Sequence, residues 1–468
     1  MKPEHFSAFK AYDIRATSPE VIDTAFASNL GTAILSSMKP KKVLVGHDMR
    51  LTSPELEEAL ISSLTQGGAD VTKIGMCSTS MFYVLVGMAN KAFDMGIMIT
   101  ASHNPGIYNG FKLIHGDCLP IGLGSGLEAI RDAMTESPFE PPLAKEGQGR
   151  SSEDPTALDR YVDFVLQKAD LPKDMPDIKV SIDAGNGMAG FVLPKLLEKC
   201  PWIKAEELYF QPDGNFPNHE ANPLKAETLS ALKLSVQKSG AALGVAFDGD
   251  ADRVGFVDES SNQIMGDILT ALFSKIELAK NPGGRVLFDV RSSWAVPEAV
   301  IQAKGVPEMY KVGHAYIKNE MHKTGAVFAG EVSMHFYFSE LWNVECTDYA
   351  MLLLLKELAL SKTKLSELWR PLNKYKSTGE MNYKVKDTNI VLKQVEQYYA
   401  SKASKVIDID GIRCEFGDPA TDPHAWWFNL RASNTEPLVR LNMEAQSKEE
   451  LMHHLEELNV LIEQKETI

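Results

Sequence analysis

Residues 41–75, KKVLVGHDMRLTSPELEEALISSLTQGGADVTKIG, hold a strand, a helix and a second strand in one short run. KKVLVGHD (41–48) is an apolar, β-branched segment. SPELEEALISSLTQGG (53–68) has helical spacing, with Ser53 expected as N-cap, Pro54 in the first turn and Gly67 near the end. ADVTKIG (69–75) then returns to a strand pattern. The unit recurs at 177–200, where DIKVSID leads through GNGMAG into a helix ending near Cys200, and at 283–303, which opens with GGRVLFDV. Such alternation is the mark of an α/β protein with mixed or parallel sheets built from three similar modules.

The chain has 468 residues, too many for one hydrophobic core, and 44% of them are hydrophobic, an ordinary globular composition. Residues 137–155, SPFEPPLAKEGQGRSSEDP, lack apolar periodicity and are expected to be a linker. With softer boundaries near 258 and 370, the expected domains are 1–145, 146–258, 259–369 and 370–468. Lys and Arg number 48 against 63 Asp and Glu, a net charge of −15, and no basic run offers the footprint of a nucleic-acid binder. The longest apolar stretch, Tyr349–Leu355, is closed by Lys356, far short of a membrane span. No apolar segment follows the early lysine, which argues against a secretory signal. The five cysteines (Cys77, Cys118, Cys200, Cys346, Cys414) are widely spaced and odd in number, against both a disulfide framework and a structural zinc site. A reduced, cytoplasmic protein is expected.

Three loops share one grammar: MGIMIT runs into ASHNP, ALGVAF into DGDADR, and GAVFAG into EVSMH, each an apolar strand ending in a polar turn. Ligands of open α/β sheets bind at the carboxyl ends of strands, so such loops can converge on one site. DGDADR presents Asp248, Asp250 and Asp252 at alternate positions, hard oxygen donors suited to Mg²⁺. An EF-hand reading fails at its sixth position, where Arg253 replaces the required glycine. Ser102 in TASHNP follows a strand and can be exposed as a nucleophile, with His103 beside it and Lys112 ten residues on. GEVSMH offers Glu331, Ser333 and His335 as hydroxyl-binding groups on an extended loop. A fourth loop, RASNTEP, combines Arg431 with Ser433, Asn434 and Thr435, a donor set suited to phosphate. KAYDIR adds Tyr12 and Arg15, and KVGHAYIK adds His314 between Lys311 and Lys318. Arg15, Lys112, Arg253, His314 and Arg431 form a local cationic inventory that would draw anionic substrates.

In order along the chain, KAYDIR, TASHNP, DGNFPNHEANP, FDGDADR, VGHAYIK, GEVSMH and RASNTEP resemble the α-D-phosphohexomutase family over essentially the whole sequence. The likeness is strongest to its bacterial phosphomannomutase branch, which includes members that also accept glucose phosphates. The resemblance implies four domains around a central cleft, three with a shared α/β topology and a smaller fourth of α+β type that closes over the phosphate. It implies reversible interconversion of hexose 6-phosphate and hexose 1-phosphate through a phosphorylated Ser102 and a hexose 1,6-bisphosphate that reorients before returning a phosphoryl group. One Mg²⁺ would be held by Asp248, Asp250 and Asp252 with the Ser102 phosphoryl group. Arg15, Lys112 and Arg253 would neutralise charge, and Arg291 and His314 would add substrate contacts. His103, Lys112, Arg15 and His335 stay open as general acid or base. The expected partners are small hexose phosphates only, with the chain a monomer or weak homodimer, and GDP-mannose supply is the pathway implied.

Three departures from the family pattern stand out. Ala16 follows KAYDIR where glycine is usual, Met334 replaces the glycine of GE-x-SGH, and ECTDYA (345–350) replaces an Asp-Asp-Gly sequence. Ala16 narrows the backbone freedom of its loop, and Met334 raises the expectation of altered loop geometry. Two rivals remain: a magnesium phosphatase with Asp248 as nucleophile, whose usual Thr or Val is here Asp252, and a non-catalytic sugar-phosphate sensor, which would need neither Ser102 nor three aspartates.

Overall fold

The computed structural model describes residues 3–136, 147–433 and 438–463. Contact density divides the chain into two compact units. One comprises 1–265, 318–323 and 333–367, the other 266–317, 324–332 and 368–468.

In the first unit, the strand Lys42–His47 pairs in parallel with Asp70–Met76 on one side and Met95–Ile99 on the other. Tyr108–His115 and Ile14–Thr17 then extend the sheet antiparallel. All of Met95–Ile99 is buried, which is why it reads as an unbroken apolar run rather than an alternating one. Helices Thr24–Ser37 and Ser53–Gln66 cover one face, packing Phe26, Leu30, Ile34, Leu56, Leu60 and Leu64 against the sheet. The N-cap of the second helix is Thr52, not Ser53, and no side chain caps it. Ser53 is already helical and spends its hydroxyl on Asp48 Oδ1 at 2.7 Å, so it cannot serve the helix. Part of the expected linker is also a strand: Ser151–Glu153 adds in parallel to Asp70–Met76, while 137–146 lie outside the described residues. This edge strand is fully exposed, so it carries no apolar signature, and it is held by backbone pairing together with a Lys73–Glu153 ion pair at 3.0 Å.

A second sheet in this unit has the parallel strands Ile203–Leu208, Ile178–Asp183 and Leu243–Phe247, continued antiparallel by Val254–Asp258 and Gln263–Ile264. The helix Thr79–Met88 is buried almost throughout and capped by Ser78, whose hydroxyl accepts from the Met81 amide at 3.0 Å.

In the second unit, the strand Arg285–Asp289 lies between the parallel strands Val306–Tyr310 and Phe328–Gly330. The C-terminal sheet is wholly antiparallel, in the order Lys376–Lys384, Leu438–Ala445, Trp426–Ala432, Ile412–Phe416, Lys405–Ile407. Its two central strands, Leu438–Ala445 and Trp426–Ala432, alternate. Trp426, Phe428, Leu430, Leu441 and Met443 join Val391, Val395, Leu455 and Leu458 of two helices in one core, leaving Asn429, Arg431, Arg440 and Asn442 on the other face. Arg431 is thus a strand residue, not a loop residue as its motif suggested. Among the described residues, no helix is long and apolar enough to cross a membrane.

Candidate active site

Two of the loops singled out in the sequence meet in the first unit. Ile99 ends its strand and the chain turns at Ser102, a residue held at φ 52°, the left-handed region that non-glycine residues seldom enter. Such strain persists only where neighbours enforce it. Here Arg50 does so: its Nη2 donates to the carbonyls of Ser102 (2.7 Å) and Asn104 (2.6 Å), and its Nη1 to those of Pro105 (2.8 Å) and Tyr108 (2.9 Å). The guanidinium is itself held by Asp48 at 3.1 Å. Gly249, in the metal-type loop, is needed for a close approach, since a Cβ there would sit 2.5 Å from the Ser102 carbonyl oxygen.

The Ser102 hydroxyl, 2% exposed as a residue, donates to Asp248 Oδ2 at 3.0 Å and lies 3.2 Å from His103 Nδ1. Asp248 Oδ1 accepts from the amides of Asp252 and Arg253, which closes the DGDADR turn. Asp250 Oδ2 accepts from Thr79 (2.6 Å), Thr100 (3.3 Å) and Lys112 (2.9 Å). Lys112 also pairs with Asp252, and His335 Nε2 lies 3.4 Å from Asp252. Asp250 Oδ1 and Asp252 Oδ1 are buried with no hydrogen-bond partner among the described residues. One oxygen from each of Asp248, Asp250 and Asp252 falls within 4.8 Å of the others, so these carboxylates fit a hard divalent cation such as Mg²⁺.

Burial and the neighbouring carboxylates push Asp248 well above the usual carboxylate range. Burial acts on Asp252 in the same direction, but Lys112 and His335 outweigh it and hold that residue well below. Burial, with Arg253 and Arg15 adding to it, keeps His103 neutral. Lys112 is desolvated, yet Asp250 and Asp252 together hold it firmly cationic. Arg15 donates to Asn104 Oδ1 at 3.0 Å and pairs with Asp13. Arg253 Nε lies 3.3 Å from His335 Nε2, and His335 Nδ1 lies 3.0 Å from Ser333 Oγ.

The GEVSMH segment is a turn rather than an extended loop. Met334 sits at φ 67°, the conformation expected of the glycine it replaces, and its thioether is fully buried against Gly255. The substitution therefore keeps a left-handed backbone and fills space beside the metal-type hairpin. Ala16 brings no strain, because it is an ordinary extended strand residue paired with Asn109. Lys318, which flanks His314 in the KVGHAYIK motif, is enclosed in the first unit. It is buried, lies 2.5 Å from Glu345 of the departing ECTDYA segment, and stacks 3.7 Å over the Tyr83 ring. Lys311 likewise lies 3.7 Å over the Tyr316 ring. Tyr12 is half-buried just ahead of the first strand.

In the second unit, Arg291 is chelated by Asp289 at 3.0 and 2.9 Å and lies 3.8 Å from Glu331. Arg431 and Arg291 both reach Glu380, at 3.0 and 3.3 Å, and Arg440 joins them at 3.1 Å. His314 begins the helix His314–Thr324. Ser433 follows the strand, while Asn434 and Thr435 lie outside the described residues. Arg50, Asp48, Thr79, Arg440 and Glu380 went unnoticed in the sequence. For Arg50 the available signal was HDMR, an acid and a base two apart just after a strand.

Four successive matches cover the chain. Residues 7–140, 159–262 and 261–375 correspond to alpha/beta/alpha domains I, II and III of phosphoglucomutase/phosphomannomutase, and 380–459 to its C-terminal domain. A protein of Xanthomonas campestris pv. campestris described as phosphohexose mutases is 38% identical over 95% of this chain and 96% of its own. The phosphomannomutase of Methanocaldococcus jannaschii is 36% identical over 97% of both chains. Among solved structures, a phosphoglucomutase/phosphomannomutase family protein from Burkholderia thailandensis superposes with a TM-score of 0.86 at 30% identity, covering 98% of each chain. The sequence resemblance is borne out: the chain belongs to the phosphoglucomutase/phosphomannomutase family of phosphohexomutases.

Proposed function

We propose that this protein interconverts hexose 6-phosphates and hexose 1-phosphates, mannose first and glucose second, by way of a phosphorylated Ser102. The observation that carries this reading is the Ser102 hydroxyl hydrogen-bonded to the first of three clustered aspartates on a strained turn. In the first half-reaction the bond between phosphorus and the serine oxygen breaks and a bond to the free sugar hydroxyl forms, the hydroxyl proton passing to a base. The resulting hexose 1,6-bisphosphate turns over and returns its other phosphoryl group to the serine, and the leaving sugar oxygen recovers a proton. Bound to Asp248, Asp250 and Asp252, a Mg²⁺ ion would neutralise charge on the phosphoryl oxygens.

The protein groups share the remaining work. Lys112, Arg253 and Arg15 stabilise charge developing on the transferred group. His103, His335, Lys112 and Arg15 are the candidates for proton transfer. Arg431, with Ser433, Asn434 and Thr435 of its motif, holds the phosphate that is not reacting, while Arg291, His314, Glu331, Ser333 and Tyr12 contact the sugar. Domain divisions at 145, 258 and 369 and a cytoplasmic setting belong to the same reading, supported by the family membership.

Coupled assays with mannose 1-phosphate and glucose 1-phosphate, each with Mg²⁺ and a trace of the matching 1,6-bisphosphate, test it. Turnover that collapses in Ser102→Ala is expected, with phosphopeptide mapping placing the phosphate on Ser102. Full activity without Ser102, or phosphate on Asp248, would overturn the mechanism in favour of a phosphatase.

A further inference from the structure

The polar face of the C-terminal sheet gathers more positive charge than a folded surface needs. Arg431 stands directly opposite Arg440 in the antiparallel register, where like charges repel. Glu380 arrives on the edge strand after a register shift at Ser377–Glu380, with Gly379 left-handed at φ 66°. That irregularity aims the carboxylate between the guanidiniums. One oxygen takes Arg431 Nη2 and Arg291 Nη1, and the other takes Arg440 Nη1. Three guanidiniums around one two-oxygen anion is the arrangement with which proteins grip phosphate. The grip is incomplete: Arg431 Nε and Arg440 Nε are buried without a hydrogen-bond partner among the described residues. A phosphate group, with three free acceptor oxygens, could satisfy donors that a carboxylate leaves unmet.

We propose that Glu380 is the built-in counter-anion of this pocket, engaging the arginines when no phosphate is bound and competing with the phosphate for them when one is. The role rests on the reading of Arg431 as a phosphate-holding residue. It answers a requirement of the reaction, because a bisphosphate that must turn over between two half-reactions has to be released by the same arginines that hold it. An uncompensated set of three arginines would bind phosphate tightly and release it slowly. With Glu380 present, each phosphate that leaves is replaced at once, so the arginines are never stranded in a half-buried site.

Titration calorimetry with inorganic phosphate on the full chain, together with turnover of mannose 1-phosphate, tests the proposal with Glu380→Gln, Glu380→Asp and Arg431→Gln. Glu380→Gln should bind phosphate about tenfold more tightly, with a similar fall in KM and a lower kcat, because release is slowed. Glu380→Asp, which keeps the charge but loses reach, should fall between it and the wild type. A purely structural role would instead weaken binding or leave it unchanged, and either result in whichever variant folds overturns the counter-anion role. The two readings separate cleanly. If Arg431→Gln binds phosphate as well as the wild type, the phosphate pocket itself is misassigned. If Arg431→Gln weakens binding and the Glu380 variants fail to tighten it, only the role of Glu380 falls.

Discussion

The turn around Ser102 and the polar face of the C-terminal sheet solve opposite electrostatic problems with similar means. In the first, buried acceptors are left over: Asp250 Oδ1 and Asp252 Oδ1 have no hydrogen-bond partner among the described residues. In the second, buried donors are left over: Arg431 Nε and Arg440 Nε have no acceptor among the described residues. Each region carries an internal stand-in of the sign it lacks, Lys112 bridging Asp250 and Asp252, and Glu380 bridging the arginines. Burying an unpaired charge is costly, so an unfilled valence kept in a core signals what the region is built to receive. The first is suited to a cation and the second to an anion.

Substitutions can break that contrast from either side. Ser102→Ala should abolish turnover, by roughly 10⁴-fold or more if the hydroxyl is the nucleophile, while leaving calorimetric binding of inorganic phosphate unchanged, since the arginine face is intact. Arg50→Met removes the clamp on the serine turn and strands Asp48. A loss of about 3–5 kcal/mol is expected, read as a lowered denaturation midpoint, with phosphate binding by the second unit retained in the folded fraction. Arg431→Gln should do the reverse, weakening phosphate roughly 10- to 100-fold for the loss of a charge-assisted pair, while Mn²⁺ binding, followed by its paramagnetic relaxation as a probe for the aspartate loop, stays as in the wild type.

A smaller effect sharpens the contrast by testing a buried acid that has found its donor. Asp348 accepts from Tyr161 at 2.6 Å, and burial pushes it up to about 6. A carboxyl raised above its unfolded value costs nothing while protonated in both states below about pH 4; its penalty grows between about pH 4 and 6 and is fully present above that. Asp348→Asn should therefore be more stable than the wild type at pH 8, by about 1–3 kcal/mol from the two-unit shift, with the advantage vanishing near pH 4. Urea midpoints at the two pH values give the comparison, and an equal difference at both would sink it.

The α/β class, the repeated strand–helix units and the Ser102 and aspartate loops were legible because each rests on a local pattern: an apolar run, a cap, an alternation of acids. What escaped notice depends on partners that leave no local trace. Arg50 acts mainly on four backbone carbonyls, which have no sequence identity, so beyond Asp48 two residues before it the sequence gives no partner. Glu380 and Lys318 carry no sequence mark of burial, since charged residues are mostly exposed, and only the fold reveals that each meets opposite charge. The strand Ser151–Glu153 is exposed on every residue, so no apolar pattern marks it, only its pairing with Asp70–Met76. Met334 shows the converse: the departure was visible, yet the positive φ it adopts kept the turn that glycine would have made.

The Arg50 clamp has a consequence for time as well as shape. Its four carbonyl partners lie 52 to 58 positions further along the chain, across two strands that must first pair in parallel. Contacts of that separation form late in folding, after the loops they close have been ordered. Before then Ser102 is an ordinary serine in a flexible, polar stretch, with neither strained backbone nor aspartate beside it. The strained setting of that hydroxyl thus exists only once these long-range contacts have formed, which makes the environment of Ser102 a direct report on whether this unit is folded.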